Sequence, residues 1–303
     1  MRRYPGAQRG AALILVLWLV AALSLTVLAG ARGIRQQTQR AAIDLERMRM
    51  EPVLDVARQL AVQRLLQEGS QARGYRDWQV QLGPYGVRLE IIPSGGLVDV
   101  NVASDAMLLA LLHKVGGLTP GEAAIMISRI RDYIDPDDEP GGIGGAEAPQ
   151  YRAAGWPVLP RNGPLDDLSE LRSVLGMTPE LYEIISPYLG INGQQRIEID
   201  AAPPALIDAL TGQPGLGARI QSSPPEMRAG GLLSGAAAQI FSSARMGGGT
   251  VKVRAMVQTD QGHWWQREAW VDLSTRPNSL TPWTTLSLEP TRRMNPPPQE
   301  PHP

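Results

Sequence analysis

The stretch "RGAALILVLWLVAALSLTVLAGAR", Arg9 to Arg32, decides how the rest of the chain is read. After Gly10 come 21 residues, Ala11 to Ala31, with no charge and only Ser24 and Thr26 carrying polar side chains. A helix rising ~1.5 Å per residue would span ~30 Å with that run, the hydrocarbon thickness of a bilayer. Arg2, Arg3 and Arg9 precede it, which puts the extreme N-terminus on the cytoplasmic side and everything after Arg32 across the membrane. Ala29-Gly30-Ala31 would suit a signal peptidase, but the run is longer than the ~7–15 residues of a secretory signal. The helical pattern also continues past it. Ile34, Thr38, Ala41, Leu45 and Met48 recur at helical spacing, Pro52 interrupts, and Val53, Val56, Ala57, Leu60, Ala61 and Leu65 resume the pattern until Gly69-Ser70.

Beyond Gly69 the period changes to two. "WQVQL" (78–82), "VRLEII" (87–92) and "LVDVNV" (97–102) read as three strands of one antiparallel sheet. "TVKVRAMVQT" (250–259) and "WWQREAWVDL" (264–273) read as a hairpin that belongs with them. Between the two groups the sequence is helical and carries a weak internal repeat, "VDVNVASDAMLLAL" (98–111) against "IEIDAAPPALIDAL" (197–210). Thr119-Pro120 with Glu122, and Thr178-Pro179-Glu180, open two of its helices. Residues 212–250, rich in Gly, Ser and Ala, read as loop with one short helix near Ala236–Ala244, and "NPPPQEPHP" reads as a disordered tail.

Composition removes several chemistries. The 303 residues include no cysteine, so disulfides, thiolate metal sites and thiol nucleophiles are excluded. The net charge is -1, falling to -4 without the three leader arginines, and Lys114 and Lys252 are the only lysines. That balance argues against nucleic-acid binding. His113, His263 and His302 stand apart, so neither a serine triad nor a zinc site can be assembled from them, and no catalytic role is assigned. Trp264 and Trp265 read as packing residues.

One block does carry chemistry. "DYIDPDDEPGGIGGAEAPQY" gathers Asp132, Asp135, Asp137, Asp138, Glu139 and Glu147 within 16 residues, on a turn containing Pro140 and four glycines. Oxygen-only donors on a flexible turn suit a hard cation such as calcium, which takes ~6–8 oxygens; a solvated acidic turn is the plainer alternative. The spacing is not that of an EF-hand. With Asp135 first, the sixth place is Pro140 rather than glycine, and the twelfth is Ala146, one short of Glu147.

The basic leader ending in Gly10, followed by an apolar helix that turns amphipathic, resembles the type IV prepilin class. That resemblance implies cleavage after Gly10 by a prepilin peptidase, methylation of the new terminus Ala11, and a helix that stays as a single-pass inner-membrane anchor. Major pilins carry glutamate at the fifth mature position, where this chain has Leu15. A subunit without that carboxylate leaves a neighbour's buried ammonium unpaired and so suits a position with nothing above it.

"GLVDVN" (96–101), "DYIDPDDEPGGIGGAE" (132–147), Tyr151 and "NGPLDDLSEL" (162–171) extend the likeness, over roughly residues 2–275, to the general secretion pathway K family of type II secretion minor pseudopilins. The resemblance implies an α+β protein: a type IV pilin-like fold, a long N-terminal helix plus antiparallel sheet, interrupted by a large all-α insertion domain. Leader 1–10, membrane part 11–31, pilin-like domain 32–102 with 246–290, insertion 103–245 and tail 291–303 follow. It also implies calcium held by Asp135, Asp137, Asp138 and Glu147, although Ala148 stands where the family pattern has a further acid. The implied role is mechanical, with the bulk of the chain in the periplasm: with minor pseudopilins I and J, and through H with the major pseudopilin, the protein primes the pseudopilus and caps its tip. The competing reading is a helix-hairpin-helix nucleic-acid-binding component of a DNA-uptake apparatus, prompted by "LTPGEAAIMISRI". Such hairpins need a Gly-hydrophobic-Gly turn and lysines, and here the turn is Gly116-Gly117-Leu118-Thr119-Pro120.

Overall fold

The computed structural model describes residues 9–68, 74–224, 228, 239–243, 249–274 and 281–294, and for 9–12 and 26–36 the backbone alone. It begins with one unbroken helix, α1 (Arg9–Glu68), that runs through Pro52. Proline removes one i→i−4 hydrogen bond, here to the Met48 carbonyl, and Met48 is exposed, so water is available in its place. Among the described residues no helix is long and apolar enough to cross a membrane. Of the expected span 11–31, the side chains at 11–12 and 26–31 lie outside the described residues, and those from Leu13 to Leu25 are all exposed.

The second half of α1 lies across a sheet. Strands β1 (Arg76–Leu82) and β2 (Tyr85–Pro93) form a hairpin. The chain then leaves the sheet and returns as β7 (Thr250–Gln258) and β8 (Trp264–Asp272), with β9 (Thr284–Leu288) and β10 (Arg292–Met294) both on the far side of β8. The order is β1-β2-β7-β8-β10, and every pairing is antiparallel. Period 3–4 on the helix meets period 2 on the strands: Met50, Leu54, Ala57, Ala61 and Leu65 pack on Leu89, Ile91, Val253, Ala255, Trp265 and Val271. Each large apolar side chain so buried contributes about 1.5–3 kcal/mol. Arg267, on the same sheet face, reaches Glu51 at 2.8 Å and Asp55 at 2.9 Å on α1, and His263 Nδ1 meets Glu46 Oε2 at 2.9 Å.

The segment between β2 and β7 has its own core. It contains β3 (Val98–Asp99), α2 (Asp105–Ala110), α3 (Pro120–Ile134), α4 (Ala148–Ala153), α5 (Pro179–Ile185), β4 (Leu189–Gly190), β5 (Ile197–Glu198), α6 (Pro204–Thr211), α7 (Leu216–Ser222) and β6 (Phe241–Ser242). Leu108, Leu111, Ile130, Tyr151, Leu171, Ile185, Ile207 and Phe241 belong to this second cluster, which shares no residue with the one under α1. The internal repeat is visible as β3 then α2, and β5 then α6.

The sheet's other face carries the join. Glu90, Arg254 and Glu268 stand side by side across three strands, Arg254 bonding Glu268 at 2.8 Å and Glu90 at 2.5 Å. Lys252, 3 % exposed, points to the carbonyls of Leu189 and Ser186 at 3.3 and 3.4 Å and stacks 5.1 Å from the Trp270 ring. These groups are held together by one another. Burial opposes the charge on both partners, but Arg254, followed by Lys252 and Arg292, outweighs it at Glu268 and holds that carboxyl down at about 2.

Three sequence expectations are corrected. "LVDVNV" is not a third strand of the main sheet, because Val98–Asp99 pairs in parallel with Leu189–Gly190 some ninety residues on. The stretch 212–250 is not loop up to Ala236, because Leu216–Ser222 is a helix; a Cβ on Gly217 would lie 2.3 Å from the Pro204 carbonyl, so that glycine serves close helix packing. The expected helix near Ala236–Ala244 is helical at 239–240, followed by strand at Phe241–Ser242, and the rest lies outside the described residues. The tail expected from 291 does not begin there, since Arg292–Met294 pairs with Trp264–Gln266; 295–303 lie outside the described residues.

Candidate metal centre

α3 supplies the scaffold. Thr119 caps its start, with Glu122 N–H donating to Thr119 Oγ1 at 3.3 Å and Thr119 N–H to Glu122 Oε2 at 2.9 Å. In its last turn Asp132, 1 % exposed, turns back over the acidic loop and accepts Gly141 N–H at 3.0 Å on one oxygen and Ala146 N–H at 2.6 Å on the other. One carboxylate thus ties the middle of the loop to its end. The closure is too tight for a side chain at Gly145, where a Cβ would sit 2.1 Å from Gly141 O and 2.4 Å from Asp132 Oδ2. Gly142 and Gly144 adopt φ of 56° and 73°, the left-handed region open to glycine.

This fold-over brings Asp135, at the end of α3, and Asp137 to Glu147, which precedes α4. Each offers one oxygen within 4.8 Å of the other two. Glu147 is fully buried and neither of its carboxylate oxygens has a hydrogen-bond partner; Asp135 Oδ1 is also buried and unpartnered. Burial, followed by Asp132, Asp135, Asp138 and Asp137, pushes the Glu147 carboxyl up to about 7. Asp135 is raised as well, by burial first and then by Asp137 and Asp132. Buried carboxylate oxygens without donors are costly, and a cation would satisfy those of Glu147 and Asp135; Asp137 is exposed and accepts Glu139 N–H at 2.9 Å on one oxygen. An ion ~2.4 Å from each oxygen accommodates oxygens up to about 4.8 Å apart, and an all-oxygen set selects a hard cation such as calcium. The donors present therefore fit calcium.

Asp138 stands outside this group of three. Its Oδ1 accepts Asn162 Nδ2 at 2.9 Å, and the same amide donates to the Asp137 carbonyl at 3.3 Å. Asn162 has φ of 52°, and its N–H donates to the Tyr133 carbonyl at 3.1 Å. Ala148, at the first position of α4, offers no ligand. Gly10 lies in the first turn of α1 with Ala11 after it, their side chains outside the described residues, and Leu15 is 68 % exposed.

The other quoted motifs hold the centre in place. Asp99 of "GLVDVN", 1 % exposed, accepts Asn101 N–H at 2.8 Å and the N–H groups of Asn192 and Gly193 at 2.6 Å each. Asn101 exchanges two hydrogen bonds with the Leu165 backbone, three residues from Asn162. Tyr151 is fully buried, its hydroxyl accepting Leu175 N–H at 2.9 Å. In "NGPLDDLSEL" the N–H groups of Asp166 and Asp167 donate to Glu170 at 3.0 Å, and Arg161 pairs with Asp166 and Glu170. Asp132 and Asn162 were in the quoted stretches without a role. The signal for Asp132 is an acid in the last turn of an apolar helix followed by a glycine-rich run.

Residues 94–192 match the family described as Type II secretion system (T2SS), protein K. The likeness to that family is carried by this segment, about a third of the chain. The segment contains every residue of the candidate metal centre and its supports down to Asn192. The chain is also 33 % identical over 90 residues to Type II secretion system protein K of Klebsiella pneumoniae and 36 % over 84 residues to that of Pectobacterium carotovorum subsp. carotovorum. These matches cover 30 % and 28 % of this chain, and 27 % and 25 % of the relatives' own lengths. Among solved structures, a chain of the GspK-GspI-GspJ complex from enterotoxigenic Escherichia coli is similar with a TM-score of 0.52 at 16 % identity. That match covers 86 % of this chain and 99 % of the other, so the likeness in fold extends well beyond the protein K segment.

Proposed function

We propose that the protein is a minor pseudopilin of a type II secretion system, anchored in the inner membrane by the first part of α1 with its bulk in the periplasm. It joins I- and J-type minor pseudopilins at the tip of the pseudopilus, primes assembly, and caps growth above itself; an H-type subunit links this tip to the major pseudopilin. The observation that carries this reading is a long helix laid across an antiparallel sheet, a pilin-like plan, from which a second unit with its own core emerges between β2 and β7. The similar chain of known structure comes from a complex with GspI and GspJ, and the same kind of assembly is proposed here.

The role is mechanical rather than catalytic. A prepilin peptidase cuts between Gly10 and Ala11, and the new terminus is methylated. With Leu15 in place of an acid and a bulky helical unit beside the sheet, another subunit is not accommodated above. Calcium, held by Asp135, Asp137 and Glu147, would offset their mutual repulsion and join the end of α3 to the start of α4. The test is co-purification of the full chain with candidate I and J subunits. A defined complex supports the reading, and three separately eluting proteins overturn it.

A further inference from the structure

We propose that His263 and Glu46 form a proton-operated latch between the turn joining β7 to β8 and the stem of α1, closed when the imidazole is protonated and open when it is neutral. This rests on the helix and the sheet alone and not on the proposed role in secretion.

The latch sits where the stem leaves the body. From Leu13 to Leu25 and from Gln37 to Arg49 every described side chain of α1 is exposed except that of Glu46, and Met50 is the first one buried. Glu46 Oε2 meets His263 Nδ1 at 2.9 Å, with 14 % of the Glu46 side chain and 28 % of the His263 side chain exposed. The turn itself is fixed, because Thr259 N–H donates to the His263 carbonyl at 2.9 Å. Further along α1 the next polar tie to the sheet is Arg267 with Glu51 and Asp55, and a guanidinium keeps its charge at any ordinary pH.

Between these two ties lies the weak point of the helix. Pro52 withdraws the hydrogen bond that would reach the Met48 carbonyl, and a proline inside a helix is where sharp bends arise. A closed latch bridges that gap and keeps the stem in line with the body. An open one leaves the stem to bend about Pro52.

An imidazole changes charge between about pH 5 and pH 8. Burial raises the Glu46 carboxyl, but Thr259, His263 and Trp265 outweigh it and hold that group below its usual range, so its contribution is present above about pH 4.5 and lost only as pH falls below that. The other charges on the elements packed here are Asp44 with Arg47, 3.5 Å apart, and Arg49 on α1, Asp260 in the turn, and Arg293 opposite Trp265 on β10. All of these are exposed, and all are of types that keep their charge across that range. The ion pair therefore exists at about pH 5–6 and gives way above about pH 7.5 to a neutral hydrogen bond.

The chain has no cysteine, so spin labels introduced by Arg40→Cys on the stem and Gln79→Cys on β1, both exposed, report the angle between stem and body in the full chain in nanodiscs. The bent component of the distance distribution is expected to grow about two- to fivefold between pH 5.5 and pH 8, the range of a partly exposed ion pair. His263→Lys, whose charge persists, should keep the pH 5.5 distribution at both values, and Glu46→Gln should give the pH 8 distribution at both. A melting curve shows whether each variant folds, and if His263→Lys does not, Glu46→Gln decides. A distribution indifferent to pH overturns the proposal, as does a pH response that survives Glu46→Gln.

Discussion

The side-chain amide of Asn101 pairs with the backbone of Leu165 in both directions, Nδ2 donating to the carbonyl at 3.1 Å and Oδ1 accepting the N–H at 2.9 Å. Through Leu165 it positions Asn162, whose amide meets Asp138 and the Asp137 carbonyl beside the metal centre. Asn101→Ala would leave two backbone groups of a buried residue unpaired. A loss of about 1–3 kcal/mol is expected in denaturant titration, together with weaker calcium stabilisation.

Glu147 gives a pH dependence with a definite sign. Its folded carboxyl is raised to about 7 from 4.5, so between those values the metal-free folded state holds more protons than the unfolded state. Stability therefore falls as pH rises from about 4.5 to about 7. Chelated protein should melt higher at pH 5 than at pH 7.5, and calcium, which favours the ionised carboxylates, should flatten or reverse that trend. Glu147→Gln should abolish both effects, and Asp135→Ala or Asp137→Ala should remove the calcium response. Melting curves indifferent to calcium and chelator would refute the metal centre.

Gly145→Ala places a methyl group against Gly141 O and Asp132 Oδ2 and should cost about 1–3 kcal/mol. Gly155→Ala is the control. Its φ of 66° is strained for alanine, at about 1–2 kcal/mol, but nothing lies within 4 Å of the added carbon. Only the first substitution should abolish calcium stabilisation.

At the join between sheet and helical unit, Glu268 is depressed to about 2, so its contribution is present above about pH 4.5 and is lost as pH falls through about 2. Glu268→Gln leaves Arg254 with Glu90 as its one carboxylate partner in the ladder and should cost about 1–3 kcal/mol in denaturant titration at neutral pH. A loss below about 1 kcal/mol would show that solvent screens the ladder.

Replacing Gly10 with a bulky residue should leave a slower-migrating precursor, and mass spectrometry of the unaltered protein should find a methylated Ala11 at its terminus. A mature terminus at Arg32 would instead remove the anchor. Deletion of the gene should impair secretion and lengthen filaments of overproduced major pseudopilin. Leu15→Glu should still cap, because a domain-sized obstacle outweighs one unpaired ammonium, which can deprotonate.

What was legible in the sequence was what local periodicity encodes. Ile34 through Leu65 announced one helix across Pro52, and the hairpin of 250–259 with 264–273 appeared within a residue of its place. Val98–Asp99 misled because alternation gives no information about its partner, which lies at Leu189–Gly190. Gly217 fell in a stretch whose composition reads as loop and is close packing, a distinction set by Pro204 in space. At the metal centre, composition revealed the acids, but which three converge was decided by Asp132 folding the loop, and Asp138 was drawn off by Asn162.

β2 and β7 are adjacent in the sheet, and Pro93 pairs with Val251. The helical unit therefore leaves and re-enters the sheet at one point, where an ordinary tight turn would serve. Excising it and joining the two strands by a few residues would leave an uninterrupted antiparallel ladder under α1, although the charged ladder of Glu90, Arg254 and Glu268 would then face water. The unit is topologically a graft: it can grow, shrink or be exchanged without altering any strand order. Its size and the make-up of its acidic loop are free to change independently of the helix-and-sheet frame that carries it.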